Sequence, residues 1–506
     1  MLSEKVREIV CNSLQINPEQ FIEYPSSYVE TDGGQFLLCR AAGPRKILAL
    51  GGGSFFSALD GDLISSEDDR SSEEHTDPSL TSIKLCPLTH QNRLVLNRYL
   101  PYTLPTAFGR ETATFGLGDR LGLATPGHIR CFRNSHGKPV LAQQSKRELD
   151  LTGRSFEQVL DDVCFAVFQE GYRGGFGADG DHLKKTEDIR AALECGYTMI
   201  TLDCSEKIGR GIEKLSVQEL SEQYETLDQD YRKRIESSYL SKGFLIDGAA
   251  HGFNREELMQ CALIYHGAID YSNEIWKNCI SCADHPVDFE LSIDETESVT
   301  TVQGHLFVAM ELEYCKINVT SLAPRFIGEF QKGIDYVGDP DELEVQLRQH
   351  AAIARHFGYK LSIHSGSDKF SVFPLIGKHT GGLLHLKTSG TSWLEAVGVI
   401  AEKNPLLYRK LHQKALMYFM EAKSFYYVSG DPAKVEDPAF RTDETLIDYL
   451  KDDNSRQLLH ITYGFILNDP FLRQELYGIL EENEEHYYNR LESHIGLHLN
   501  LLGLAE

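Results

Sequence analysis

The chain has 506 residues, a formal net charge of −25, and an ordinary globular composition of 41% hydrophobic and 25% charged residues. That length makes one large domain with additions, or two to three domains, with ample material for a core. The negative charge argues against nucleic acid or an anionic membrane as partner, but not against an anionic small molecule in a local basic pocket.

No apolar run is long enough to span a bilayer, and residues 1–10 read as an amphipathic helix rather than a signal peptide. The 11 cysteines are scattered singly apart from Cys279-Ile-Ser-Cys282, which suggests reduced thiols and a cytoplasmic location. A lone CxxC lacks the second pair that a structural zinc requires.

Residues 1–105 read as an N-terminal mixed α/β extension, with strands at 35–39 and 46–50, the latter running into Gly51-Gly52-Gly53. The acidic, serine-rich stretch 65–74 reads as a loop or insertion. From about residue 112 short apolar strands end in polar or glycine residues and alternate with helices. The ends are Gly116 to Arg120, Gly177 to His182, Leu202 to Ser205, Phe289 to Glu295, Ser321 to Arg325, Leu361 to Ser365 and Leu384 to Thr388, with 426–430 as an eighth.

Helices are expected over 155–171, with Val159, Leu160, Val163, Val167 and Phe168 on one face, over 341–357 ending at Gly358, and over 392–402. Seven or eight βα units favour an α/β fold of the TIM-type (β/α)8 barrel over a doubly wound sheet. The barrel is placed at 106–430 with a helical insertion at about 206–283, followed by a helical C-terminal segment at 431–506.

The richest segment is Gly177-Ala-Asp-Gly-Asp181-His182-Leu-Lys184-Lys185, read as a polar loop between a glycine-rich strand end and a helix N-capped by Thr186 and stopped by Gly196. His182, His364 and His385 all fall at or near strand ends, where histidines from different strands can share a divalent metal. Alternation along Asp288-Phe-Glu290-Leu-Ser292-Ile-Asp294 puts the acids and Ser292 on one face. Asp181 and Glu290 therefore make an acid/base pair across the barrel mouth, with Asp294 as the rival to Glu290.

The segment from His364 to Ser371, with Lys369, suits a hydroxylated anionic ligand, as do Arg325, Glu329, Gln331 and Lys332 after the strand at 321. Gly175-Phe-Gly177-Ala-Asp-Gly180 matches a dinucleotide fingerprint. Asp179 and Asp181 beside a pyrophosphate, and charged residues after the third glycine, argue against it.

The strings GLGDRLGLATPGH (116–128), FGADGDHLK (176–184), DFELSIDET (288–296), SLAPRFIGEFQKGIDYVGD (321–339), IHSGSDKFS (363–371) and HLKTSGTSWLEA (385–396) together resemble the bacterial tagaturonate epimerase family over about residues 100–430. The resemblance implies interconversion of D-tagaturonate and D-fructuronate in hexuronate catabolism, and a divalent metal such as Zn, Mn, Ni or Co. It implies a proton acceptor at Asp181, metal on His182 and His364, a proton donor on the acidic strand, placed at Glu290, and a further ligand at Gln331 with Glu329 close behind. Gly180 stands where the family commonly has alanine.

The inverted carbon is not adjacent to the carbonyl, so a single deprotonation cannot invert it. Either the carbonyl migrates through a metal-stabilised enediolate, or a carbon–carbon bond breaks and reforms in retro-aldol fashion; both need oxyanion stabilisation and two proton-transfer groups. Lys184, Arg325, Lys332 and Lys369 are the candidates for gripping the uronate carboxylate. The expected partner is a small ketouronate, with no nucleic acid and no membrane, and a homo-oligomer left open. Competing readings are a related tagatose/fructose epimerase or metal-dependent aldolase, an NAD-linked oxidoreductase, and a non-catalytic sugar-binding protein.

Overall fold

The computed structural model describes residues 2–41, 43–65, 82–296, 298–388 and 390–505. All but the first residue of the acidic, serine-rich stretch lies outside them. After an N-terminal helix, Glu4–Leu14, five strands form an antiparallel sheet: β1 (Phe21–Thr31), β2 (Gly34–Ala41), β3 (Arg45–Gly51), β4 (Asp62–Ser65) and β5 (Ile83–Pro87), in the order β1-β2-β3-β5-β4. One face of this sheet shares a cluster with Phe165 and Phe168 of a barrel helix.

Eight parallel strands then close a barrel: β6 (Thr114–Leu117), β7 (Lys138–Ser145), β8 (Gly177–Leu183), β9 (Met199–Asp203), β12 (Asp288–Ser292), β13 (Ser321–Ala323), β14 (Lys360–Ile363) and β15 (Leu384–Thr388), which pairs back to β6. Between β9 and β12 lie the helices Val217–Tyr224, Gln229–Tyr239 and Arg255–Ile275, with a hairpin of β10 (Phe244–Ile246) and β11 (Ala249–His251). The insertion is thus helical with one small two-stranded addition.

The local reasons are ordinary ones. Helix Phe156–Gln169 starts in a capping box between Ser155 and Gln158 and buries Val159, Leu160, Val163 and Val167 against the strands. Helix Thr186–Cys195 carries Glu187 and Asp188 in its first turn and ends at Gly196, whose φ of 98° is left-handed. Helix Pro340–Phe357 stops the same way at Gly358.

The eighth strand is not at 426–430, which has no regular structure, but at β7. β7 opens Lys138-Pro139 and ends Gln143-Gln144-Ser145, which leaves only a three-residue apolar run to mark it as a strand, yet every residue from Pro139 to Ser145 is buried.

Helices from Pro405 onward form a second core with the barrel helix Thr391–Lys403, through Trp393, Val397, Tyr408, Leu458 and Leu491. They also reach the barrel mouth: Asp368, in the loop after β14, pairs with His494 at 2.7 Å and Arg456 at 2.9 Å. Among the described residues no helix is long and apolar enough to cross a membrane.

Candidate active site

The barrel interior is polar from floor to mouth. At the floor, the Asp288 carboxylate accepts from the backbone N–H groups of Phe108 and Gly109 at 2.7 and 2.9 Å, so this acid ties the segment before β6 to the barrel. His385 sits just above, with Nδ1 2.8 Å from Thr114 Oγ1, and burial pushes its pKa down to about 3. It is a neutral interior group and not a third histidine at the mouth.

One layer higher, Lys387 occupies the axis. Its Nζ lies 2.8 Å from Asp179 Oδ2, 2.7 Å from Asp181 Oδ1 and 3.1 Å from Glu290 Oε1, and it also donates to Thr201 Oγ1. Alternation on β15 explains why: His385 and Lys387 point inward while Leu384 and Leu386 pack outward against the helices. Burial opposes a charged lysine, but the three carboxylates override it and raise the Lys387 pKa well above its usual value. Such an amine stays protonated and does not act as a Schiff-base nucleophile.

At the mouth, β8 bends. Residues 177–183 are the strand itself, not a loop behind it, which removes the dinucleotide reading: Gly177 to Gly180 is extended and opens onto no helix. The register with β9 shifts between Gly180 and Leu183, and His182 has a left-handed φ of 52°. In a regular strand Asp181 and His182 would face opposite sides; this bulge turns both toward the mouth. Gly180 faces outward, where a Cβ would meet the tips of Leu183 at 2.8 Å and Ile200 at 3.0 Å, so its departure from alanine is away from the chemistry.

The His182 ring stacks edge-on to His364 with centroids 4.8 Å apart. His182 Nδ1 lies 3.6 Å from Asp203 Oδ2 and 3.9 Å from Glu295 Oε1. His364 Nε2 lies 2.8 Å from Glu290 Oε1, and its Nδ1 lies 3.0 Å from Asp294 Oδ1. On the far wall Gln143, from the unforeseen β7, donates to Asp181 Oδ2 at 3.3 Å. Gly116 makes room for it, since a Cβ there would meet Gln143 Oε1 at 2.2 Å.

This collection of acids fixes the electrostatics. Burial would lower the His182 pKa, but Asp181, Asp203 and Glu295 raise it to about 10. His364 is likewise raised, against burial, by Asp294 and Glu290. Asp181 is held below the usual carboxylate range, against burial, by Lys387 and His182. Burial pushes Asp179 up to about 6 despite Lys387.

Negative charge therefore exceeds what the fixed cation neutralises, and the two imidazoles take up protons to compensate. A divalent cation would displace those protons and take the same place. His182, Asp203 and Glu295 each offer one atom within 4.8 Å of the others. His182 Nδ1 and Asp203 Oδ2, 3.6 Å apart, are both buried and make no hydrogen bond. The donor set is the imidazole-plus-carboxylate kind that suits Zn, Mn, Ni or Co.

These groups open onto a cavity of about 1410 Å3, lined among others by Asp181, His182, Asp294, Arg325, His364 and Lys387. Glu290 is fully buried and does not line it; its oxygens accept from Lys387, His364, Thr201 and Ser321.

The sequence-expected cations divide sharply. Lys369 does not reach the cavity: its ammonium donates to the backbone carbonyls of Gln331, Ile334 and Ser367 at 2.8, 2.6 and 2.7 Å. Gln331 does not join the histidines either, because its Oε1 accepts from Ser429 N at 2.8 Å and Gln457 Nε2 at 2.9 Å. Lys184 lines the cavity but is held by Ser205 at 3.0 Å and Asp203 at 3.4 Å. Lys332 and Glu329 also line it. The Arg325 guanidinium has no hydrogen bond or ion pair among the described residues, and its backbone N–H is fixed on Thr300 Oγ1 at 2.9 Å.

Lys369 thus staples the loops after β13 and β14. Its replacement by methionine is expected to destabilise the fold by about 3 kcal/mol or more, since each buried carbonyl left unpaired costs about 1–3 kcal/mol. Urea unfolding measures this; a raised KM with unchanged stability would instead place Lys369 on the substrate.

The match to known proteins agrees with this architecture. Residues 24–502 match the family model of UxaE, tagaturonate epimerase. A tagaturonate/fructuronate epimerase of Thermotoga maritima is 44% identical over 422 residues, 83% of this chain and 87% of that protein. A glycerol-complexed crystal structure of fructuronate-tagaturonate epimerase UxaE from Cohnella laeviribosi superposes with a TM-score of 0.92 at 47% identity, covering 99% of this chain and 100% of that one. Its native crystal structure superposes with a TM-score of 0.91 at the same identity and coverage. The chain is an isomerase of the epimerase class and belongs to the tagaturonate epimerase family.

Proposed function

We propose that this chain interconverts D-tagaturonate and D-fructuronate with the help of a divalent metal. The observation that carries the reading is the convergence, at the open end of the barrel, of a charged Asp181, two imidazoles and the carboxylates of Asp203, Asp294 and Glu295 at 3.0–3.9 Å from those rings, in a chain of this family. His182 and His364 would hold the metal, with Asp203, Asp294 and Glu295 as the carboxylates within reach; Gln331 is engaged elsewhere. When bound, a divalent cation supplies Lewis-acid stabilisation of an oxygen that gains charge.

The chain's own groups do the rest. Asp181 faces the cavity as a carboxylate and takes the substrate proton. Glu290 and Asp294 flank His364 on the opposite wall. Against burial, Lys387 and His364 hold Glu290, and His364 holds Asp294, below the usual carboxylate range. A proton returned from this wall must therefore first be taken up there, by Asp294 as the acid that lines the cavity. Acids on two sides of one sugar suit an inversion, whether by carbonyl migration or by retro-aldol cleavage and re-addition.

Arg325 is the cation best placed to grip the uronate carboxylate, because its guanidinium is not already spent. Arg325→Met is expected to raise KM for D-fructuronate by about 10–100-fold, the value of one or two charge-assisted hydrogen bonds, and to leave neutral D-fructose unaffected. Steady-state kinetics on the two sugars checks this; an equal change for both would remove Arg325 from carboxylate recognition. The reading as a whole is tested by incubating the protein with D-fructuronate. D-tagaturonate is the expected product, and three-carbon fragments or no conversion would contradict it.

A further inference from the structure

The expected proton donor, Glu290, is sealed off from the cavity, and two residues that touch it, His364 and Lys387, line the cavity in its place. Lys387 lines the cavity wall and touches Asp179, Asp181 and Glu290 with a single nitrogen. We infer that Lys387 is a further catalytic residue, whose ammonium donates to the substrate oxygen on which negative charge develops. The inference rests on the ketouronate reading above and assigns to that site a group for which nothing in the proposed acid/base pair accounts.

The argument is one of hydrogen-bond supply. An ammonium has three hydrogens, and Lys387 has four acceptors around it: Asp179, Asp181, Glu290 and Thr201. It is therefore shared among more acceptors than it can serve. Asp179, Glu290 and Thr201 are completely buried and fixed, whereas Asp181 faces the cavity.

In the proposed reaction the proton leaves the substrate for Asp181. The negative charge leaves Asp181 and appears on a substrate oxygen beside it. The Lys387 hydrogen that served Asp181 then follows the charge, with no proton lost from the lysine and no bond broken in it. Because Asp179 and Glu290 hold the ammonium in place beforehand, little reorganisation accompanies the step. A lysine serving only to neutralise buried acids would need no access to the cavity.

The test uses Lys387→Met, Lys387→Arg and the double variant Asp179→Asn/Lys387→Met, assayed on D-fructuronate beside the wild type, with bound metal counted. Lys387→Met is expected to lower kcat by about 100–1000-fold, the loss on removing one oxyanion donor, with KM within about threefold and metal content unchanged. Lys387→Arg, which keeps the charge, is expected to recover part of kcat.

Removing the lysine alone leaves three buried carboxylates, so the single variant tests folding as well as catalysis. The double variant removes one of those charges. It is expected to recover thermal stability but not kcat. Recovery of near wild-type kcat in the double variant, or a raised KM with kcat intact in the single one, would overturn the assignment. Since the wild type is measured alongside, either result leaves the ketouronate reading standing, whereas no wild-type conversion would take both down.

Discussion

Asp181→Asn is expected to abolish turnover while leaving the protein folded and its metal content unchanged. The change keeps the shape of the side chain and removes its capacity to accept a proton, so the loss should be that of a general base, about 100–10,000-fold in kcat. The surroundings can absorb the new amide. Its oxygen still accepts from Lys387, which now lies 2.7 Å from Asp181 Oδ1. Its nitrogen would face Gln143, whose Oε1 is at present without a partner and can turn to receive it. Near-normal turnover in this variant would remove Asp181 from the acid/base role.

The second large effect concerns the histidines. His182→Ala and His364→Ala are each expected to lose bound metal and activity while keeping the barrel, because neither ring fills the apolar core. Loss of a partner that merely orients a ligand already weakens metal binding by about 10–100-fold, so loss of a ligand itself should exceed that. Elemental analysis after dialysis reads the metal, and circular dichroism the fold. Stoichiometric metal retained in both variants would move the ligand set to the carboxylates, of which Asp203, Asp294 and Glu295 are nearest.

What was legible in the sequence was local. β12, β14 and β15 announce themselves because each alternates cleanly, and period-two alternation also assigns the inward face of β12 correctly, whereas the glycines and charges of β8 read as a loop. β7 was not legible, because its glutamines and early proline dilute the apolar signal, while the aromatic run at 426–430 imitates a strand. Asp181 and His182 were singled out for their chemistry, but only the bulge and the left-handed backbone at His182 explain how neighbours in a strand serve one site.

The groups that sequence missed or misdirected are those whose partners lie far along the chain. Lys387 finds Asp179 and Asp181 about two hundred positions away, 206 for Asp181. Gln331 is claimed by Gln457, 126 positions later, and Lys369 by carbonyls of the loop before its own. A lysine on a short strand and a lysine in a glycine-serine loop look alike as candidates for binding an anion. Only the packing decides that one lines the cavity and the other staples two loops.

The most direct measurement is NMR analysis of D-fructuronate incubated with the chelated protein, before and after adding back Mn²⁺, Ni²⁺, Co²⁺ or Zn²⁺. The account predicts no conversion after chelation and appearance of D-tagaturonate once one of these ions is restored at about one per chain. Full conversion by protein shown by elemental analysis to be free of metal would contradict the metal-assisted reading. Failure of every metal-loaded form to yield D-tagaturonate would contradict the assigned reaction.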